Sequence, residues 1–169
     1  MTKVFHQNLF LLLAIILILS TPMLSVEVPT LIIEESTSFS IPLSRGTLVV
    51  FRFIHSSERT PWIERWIVNA SGIYVEEICF SSEGAGHPSS ISDFGRAKLV
   101  AVDGLYCFKD IGRYLGKVVV LGGRTAINMS LSIDGNTFAV RNLVVVKVSY
   151  RLLALLLVDK LIYVFRLSV

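Results

Sequence analysis

The chain is short of charge. Only 17% of its 169 residues are Asp, Glu, Lys or Arg and 53% are hydrophobic, against about 25% and about 45–50% in ordinary globular domains. That balance points to a membrane-associated class. The 16 basic and 13 acidic side chains are scattered. No Lys/Arg-rich run builds the concentrated basic face that nucleic-acid binding needs, which excludes nucleic acid as a partner. No recognised metal-ligand spacing, no full phosphate-loop pattern and no strand-turn-helix elbow around a serine occur. No convincing amphipathic helix is present either.

What is there begins with an apolar N-terminus. Lys3 precedes the run Leu9 to Leu19, which is shorter than the roughly 20 residues of a spanning helix and fits a signal-peptide core of about 7–15. Residues 1–26 are therefore a cleaved signal peptide or, with Asn8 to Val26 as the span, a retained anchor. In both cases the following domain is expected on the extracytoplasmic side of the cell membrane, because the positive flank stays inside. The C-terminal tail, 151–169, is apolar from Leu152 to Phe165 except for Asp159 and Lys160. It reads as a second membrane contact or an interface-lying helix, or else as a last strand or core helix.

Between the ends, 31–150 reads as one β domain. Ser36 to Pro42, Thr47 to His55 and Lys117 to Leu121 are strand-like. Trp62 to Val68 and Ile73 to Phe80 flank the turn residues Asn69 to Gly72, and Ile127 to Ile133 and Thr137 to Val140 flank Asp134-Gly135-Asn136; both read as hairpins. Leu143 to Tyr150 alternates again. Short strands with near-regular turn signals make an all-β fold, a small antiparallel sandwich or barrel. Gly84 to Lys98 is the longest stretch without strand character.

Two cysteines, Cys79 and Cys107, sit in apolar strand-like contexts. They are either two buried small residues or one disulfide, and the export signal is the ground for expecting the disulfide.

Chemistry concentrates in His55-Ser56-Ser57-Glu58-Arg59-Thr60-Pro61, with Glu64 just beyond, and in Ser81-Ser82-Glu83-Gly84-Ala85-Gly86-His87-Pro88. A strand from Trp62 to Val68 places Trp62, Glu64 and Trp66 on one face. A four-residue turn then sets Glu64 opposite Glu77, an unfavourable like-charge pair, and a one-residue slip sets it opposite Ile78. His55, Glu58, Glu64 and His87 carry metal-ligand atoms, but a hydrogen-bonded strand-end histidine and a solvated loop pair explain them as well. Ser56 or Ser57 beside a histidine is a weak nucleophile signal. Gly84-Ala85-Gly86 suits a tight turn better than an anion cradle. Trp62 and Trp66 suit core packing better than ligand stacking. The hairpin returns Phe80 to the level of Trp62, so the two polar stretches are expected at one end of the fold.

These two blocks resemble the hallmark of the domain of unknown function 1850 family. Its members carry a His-Ser-x-Glu-(Lys/Arg)-Thr-Pro block with a nearby Glu, followed by Gly-Ala-Gly-x-Pro. The matching residues are His55, Ser56, Glu58, Arg59, Thr60, Pro61, Glu64, Gly84, Ala85, Gly86 and Pro88. The resemblance covers about Ser36 to Tyr150. It implies a small exported or membrane-anchored protein associated with tripartite ATP-independent transporters, whose membrane subunits or solute receptor would be partners. It implies no activity and no cofactor. The expected function is a membrane-tethered transport-accessory or interaction module that works by binding. The candidate site is His55, Ser56, Glu58, Arg59, Thr60, Glu64, Gly84, Gly86 and His87. The enzyme alternative is a metal-assisted hydrolase using His55, Glu64 and His87.

Overall fold

A computed structural model describes residues 25–36, 38–43, 45–81, 94–95, 97–123 and 126–158. Eleven strands run through them: β1 Glu27–Glu34, β2 Ser38–Pro42, β3 Thr47–His55, β4 Pro61–Asn69, β5 Gly72–Phe80, β6 Lys98–Val102, β7 Leu105–Gly116, β8 Val118–Leu121, β9 Ala126–Ile133, β10 Asn136–Ala139 and β11 Val144–Leu152. They form two antiparallel sheets, of order β2-β1-β11-β8 and β10-β9-β3-β4-β5-β7-β6. The sheets pack face to face as a sandwich. Leu31, Ile33, Val144 and Val146 of the smaller sheet share one core with Val49, Phe51, Trp66, Val68, Ile73, Leu131 and Ile133 of the larger. Each large apolar side chain so buried contributes about 1.5–3 kcal/mol.

Turn chemistry sets the hairpins. β9 and β10 close on Asp134 (φ 46°) and Gly135 (φ 90°), with Ile133 paired to Asn136. Positive φ at both central residues is the type I′ turn whose twist suits two strands. β6 and β7 close the same way on Asp103 (φ 51°) and Gly104 (φ 78°), with Val102 opposite Leu105. Between β4 and β5 the Asn69 Oδ1 accepts the backbone N–H groups of Ser71 (2.9 Å) and Gly72 (3.3 Å), a side-chain turn typical of asparagine. Gly72 lies at φ 149°, and a Cβ there would sit 2.4 Å from the Tyr114 ring and 2.8 Å from the Gly116 carbonyl oxygen. Only glycine fits.

One irregularity decides what the larger sheet buries. Val68 faces Ile73, as the four-residue turn requires, and Trp66 faces Val75; then the register shifts, so that Arg65 faces Glu77 and Glu64 faces Ile78. Glu76 is the extra residue, a β-bulge. Because side chains alternate, one inserted residue reverses the face of everything beyond it on β5. Ile78 and Phe80 turn into the core, 7% and 2% exposed, while Glu77 and Cys79 turn to the outer face. The like-charge pair Glu64–Glu77 does not form.

Strands β1, β6 and β7 are additions to the sequence reading. β7 is long, and its left-handed residues Asp110 (φ 59°) and Gly112 (φ 60°) interrupt its alternation. Of the Gly84–Lys98 stretch, the described residues are a short turn at 94–95, Ala97 and the start of β6. Residues 29–149 form one compact unit and the chain ends group separately. At the ends, Leu153 N–H donates to the Val26 carbonyl at 2.9 Å and residues 153–158 are helical. Among the described residues no helix is long and apolar enough to cross a membrane. Most of 1–26 and the tail beyond 158 lie outside the described residues.

Candidate functional site

The polar block His55 to Thr60 is the turn of the β3–β4 hairpin. Arg59 N–H donates to the His55 carbonyl and His55 N–H to the Thr60 carbonyl, both at 2.9 Å. Arg59 adopts φ 56°, the left-handed residue that brings a four-residue loop back into its strand. The loop is thus fixed by its backbone. His55, Ser56, Glu58 and Thr60 are half-buried, while Ser57 and Arg59 are exposed. Ser57 Oγ lies 2.9 Å from His55 Nδ1. Which of the pair donates depends on the imidazole tautomer. Thr60 Oγ1 is buried and has no hydrogen-bond partner among the described residues.

Below the loop the inner face of the sheet is aromatic. Trp62 stacks between Phe53 (5.9 Å between ring centroids) and Phe80 (5.7 Å). His55 lies 6.4 Å from Trp62, and Phe108 extends the row 6.0 Å from Phe80. Such spacings are the usual ones for favourable ring pairs.

Glu64 sits within this face, between Trp62 and Trp66 on its own strand and between Phe51 and Ile78 on its neighbours. Trp62 Nε1 donates to Glu64 Oε1 and Trp66 Nε1 to Oε2, each at 2.9 Å. Strand geometry makes this possible. Side chains two apart share a face about 6.6 Å apart, so a central carboxylate reaches an indole on either side. A charge on an apolar face costs free energy unless it is hydrogen-bonded, and two charge-assisted bonds meet that need without a cation. No salt bridge to Glu64 occurs among the described residues.

The outer face of the same strands carries Glu77, ion-paired to Arg65 (2.5 Å) and more loosely to Lys109 (3.8 Å). Beside it, Cys79 and Cys107 stand opposite one another on β5 and β7, with Cα atoms 4.1 Å apart, and form a disulfide. Glu77 Oε1 lies 3.1 Å from Cys79 Sγ. A disulfide sulfur has no proton to donate, so this is a contact rather than a hydrogen bond. Glu77, Cys79 and Cys107 are the one group of three described residues whose ligand atoms lie within metal-binding reach of each other, and the disulfide takes both sulfurs.

His55, Ser56, Glu58, Arg59 and Thr60 are brought together by the hairpin. Glu64 shares their sheet face but lies four residues down β4 from Thr60, roughly 13 Å along the strand, with Trp62 between. Trp62 pairs with Phe80, so Ser81 leaves the sheet beside Pro61. Gly84, Gly86 and His87 lie outside the described residues. Sequence reasoning missed the role of the two tryptophans as donors to Glu64; the alternation Trp-x-Glu-x-Trp is the signal that carries it.

A family model, Domain of unknown function (DUF1850), matches residues 49–140, more than half of the chain. The chain belongs to this family. The matched span runs from within β3 to just past β10 and contains the hairpin loop, Glu64 and the disulfide. No curated protein and no solved structure matches the chain.

Proposed function

We propose that this DUF1850 protein is a membrane-tethered, extracytoplasmic binding module that serves a membrane transport system. The N-terminal apolar segment supplies the tether, and the β domain presents the end that carries His55 to Thr60. The observation that supports binding most is the fixed polar hairpin above an aromatic face. The loop backbone is closed by its own hydrogen bonds, and Glu64 below accepts a hydrogen bond from each of two indoles. A preorganised loop loses little entropy when a partner docks. The partner class is a membrane subunit or solute receptor of a transporter.

The test is affinity purification of the full chain from membranes. The expected result is co-purification of transporter subunits, reduced at least about fivefold, roughly 1 kcal/mol, when Glu58→Gln and Arg59→Gly are combined. Glycine keeps the left-handed backbone at 59, so the loop survives while its charges go. A chain that washes free of membranes, or membranes that yield no transporter subunit, sinks this reading. A stoichiometric bound metal lost on His55→Ala moves the assignment to the hydrolase instead.

A further inference from the structure

Among the described residues strand β6 is an edge of the seven-stranded sheet, and all five of its residues are exposed. Leu99 is 47%, Val100 40% and Val102 38% exposed. An exposed apolar edge of this kind is a template for another strand. The other edges are blunted. β2 ends in Pro42, β10 has four residues, and β8 has four residues and is followed by Gly122 and Gly123. The part of β7 that extends past β6 is broken by the left-handed Asp110 and Gly112. β6 contains no proline or glycine, and its register with β7 is unbroken. Its one charge, Lys98, is held by Asp110 at 2.8 Å.

We infer that β6 pairs antiparallel with β6 of a second copy of this chain, centred on Val100. Hydrogen-bond parity supports the register. A two-residue hairpin closes on a pair that exchanges both backbone bonds, here Val102 with Leu105. Val100 and Lys98 therefore bond toward β7 as well, and the N–H and C=O groups of Leu99 and Ala101 point away from the sheet. Centring on Val100 sets Leu99 against Ala101 of the second copy, and Ala101 against its Leu99. Four backbone hydrogen bonds result. The same register sets Lys98 against Val102, next to Asp103, so the basic start of one strand meets the acidic end of the other at both ends of the pair. A parallel arrangement would stack Lys98 on Lys98, which is unfavourable. Charge and parity thus select the same antiparallel, two-fold symmetric contact. Two larger sheets then become one continuous sheet, with the binding loops on both copies left free.

A five-residue pairing is small beside stable interfaces, which bury about 1,200–2,000 Å², so a covalent trap is the suitable assay. In the proposed dimer the two Val100 residues form a non-hydrogen-bonded pair with Cα atoms about 4.5 Å apart, within disulfide range. Full-length Val100→Cys, mildly oxidised in its membrane, should yield a covalent dimer on a non-reducing gel. Adding Ala101→Pro should lower that yield at least about tenfold. Proline at 101 removes an N–H that β7 does not use, so the fold survives and two of the four intermolecular bonds go. Sedimentation of the detergent-solubilised wild type against Ala101→Pro alone provides a readout that does not depend on the new cysteine; a faster-sedimenting species present only in the wild type is expected. Absence of cross-linking, cross-linking unaffected by proline, or a wild type that sediments as the monomer at every concentration overturns the proposal.

Discussion

Glu64 and Glu77 are carboxylates on adjacent strands, offset by one residue of register, and they meet opposite ends. Glu64 looks into the aromatic face and is satisfied by two neutral indole donors. Glu77 looks outward and is satisfied by two cations, Arg65 and Lys109. The bulge at Glu76 separates them. A cation beside Glu64 would itself need desolvation, which is costly on an apolar face. Indole brings its donor on an apolar body and avoids that cost. On the open face, half-exposed cations remain partly hydrated and the problem does not arise. The solvent each face sees, rather than the residue type, decides how an acid is accommodated.

Deleting Glu76 tests whether the bulge or the pairing holds the two faces apart. Glu76 is the residue the bulge adds, so its removal leaves Arg65 opposite Glu77 and Glu64 opposite Ile78 on a regular strand. Ile78 and Phe80 then stay in the core and Cys79 stays opposite Cys107, because alternation beyond the bulge is unchanged. The expected outcome is a cooperative unfolding transition and no titratable thiol in the unreduced protein. A deletion variant without a cooperative transition, or with two free thiols, would mean that the bulge itself is required.

Single substitutions sharpen the contrast. Glu64→Leu leaves two indole N–H groups without their acceptor, and should destabilise the protein by about 2–4 kcal/mol in urea unfolding. Glu77→Gln releases cations whose side chains are 38% (Arg65) and 40% (Lys109) exposed, and should cost about 1 kcal/mol or less. Equal costs at the two positions would contradict the account given of the faces.

The smallest effect concerns a third carboxylate. Glu35 Oε1 accepts the backbone N–H groups of Arg141 (2.7 Å) and Asn142 (2.9 Å). Those two bonds hold its carboxyl below the ordinary value of 4.5, against a small opposing desolvation. A depressed folded-state pKa stabilises above the ordinary value, and that stability is lost as pH falls through the folded value. Glu35→Gln should therefore leave a shallower fall in melting temperature between neutral and acid pH. The difference should be slight, because the group is exposed and solvent-screened. An unchanged acid slope would show that the two amide bonds do not distinguish the ionised form.

Much of this was legible beforehand. The alternation of Val49, Phe51, Phe53 and His55 placed β3 and its inner face, and Asn69 with Gly72 placed the β4–β5 turn. Asp134-Gly135 marked β9–β10. Asp103-Gly104 carries the same signal for β6–β7, yet Lys109, Asp110 and Gly112 obscured the strand that follows it. β1 was hidden by its position after the apolar leader, with Glu27, Pro29 and Glu34 diluting its strand character. The bulge had no local signature. Tyr74-Val75-Glu76-Glu77 reads as a regular strand, and only the joint demands of Ile78 and Phe80 for the core and of Glu77 for Arg65 select the inserted residue. Pairing preferences across strands, rather than propensity along one, settled the surroundings of Glu64.

The indole clamp has an optical consequence. The chain contains two tryptophans, and both give their N–H to the same carboxylate. Tryptophan emission and near-ultraviolet ellipticity therefore come from a single locus, with no distant chromophore of that type to dilute the signal. Substitution of Glu64, or the arrival of a charged group beside it, would perturb both indoles together. The protein carries its own spectroscopic gauge at the face below the hairpin loop, readable without a label.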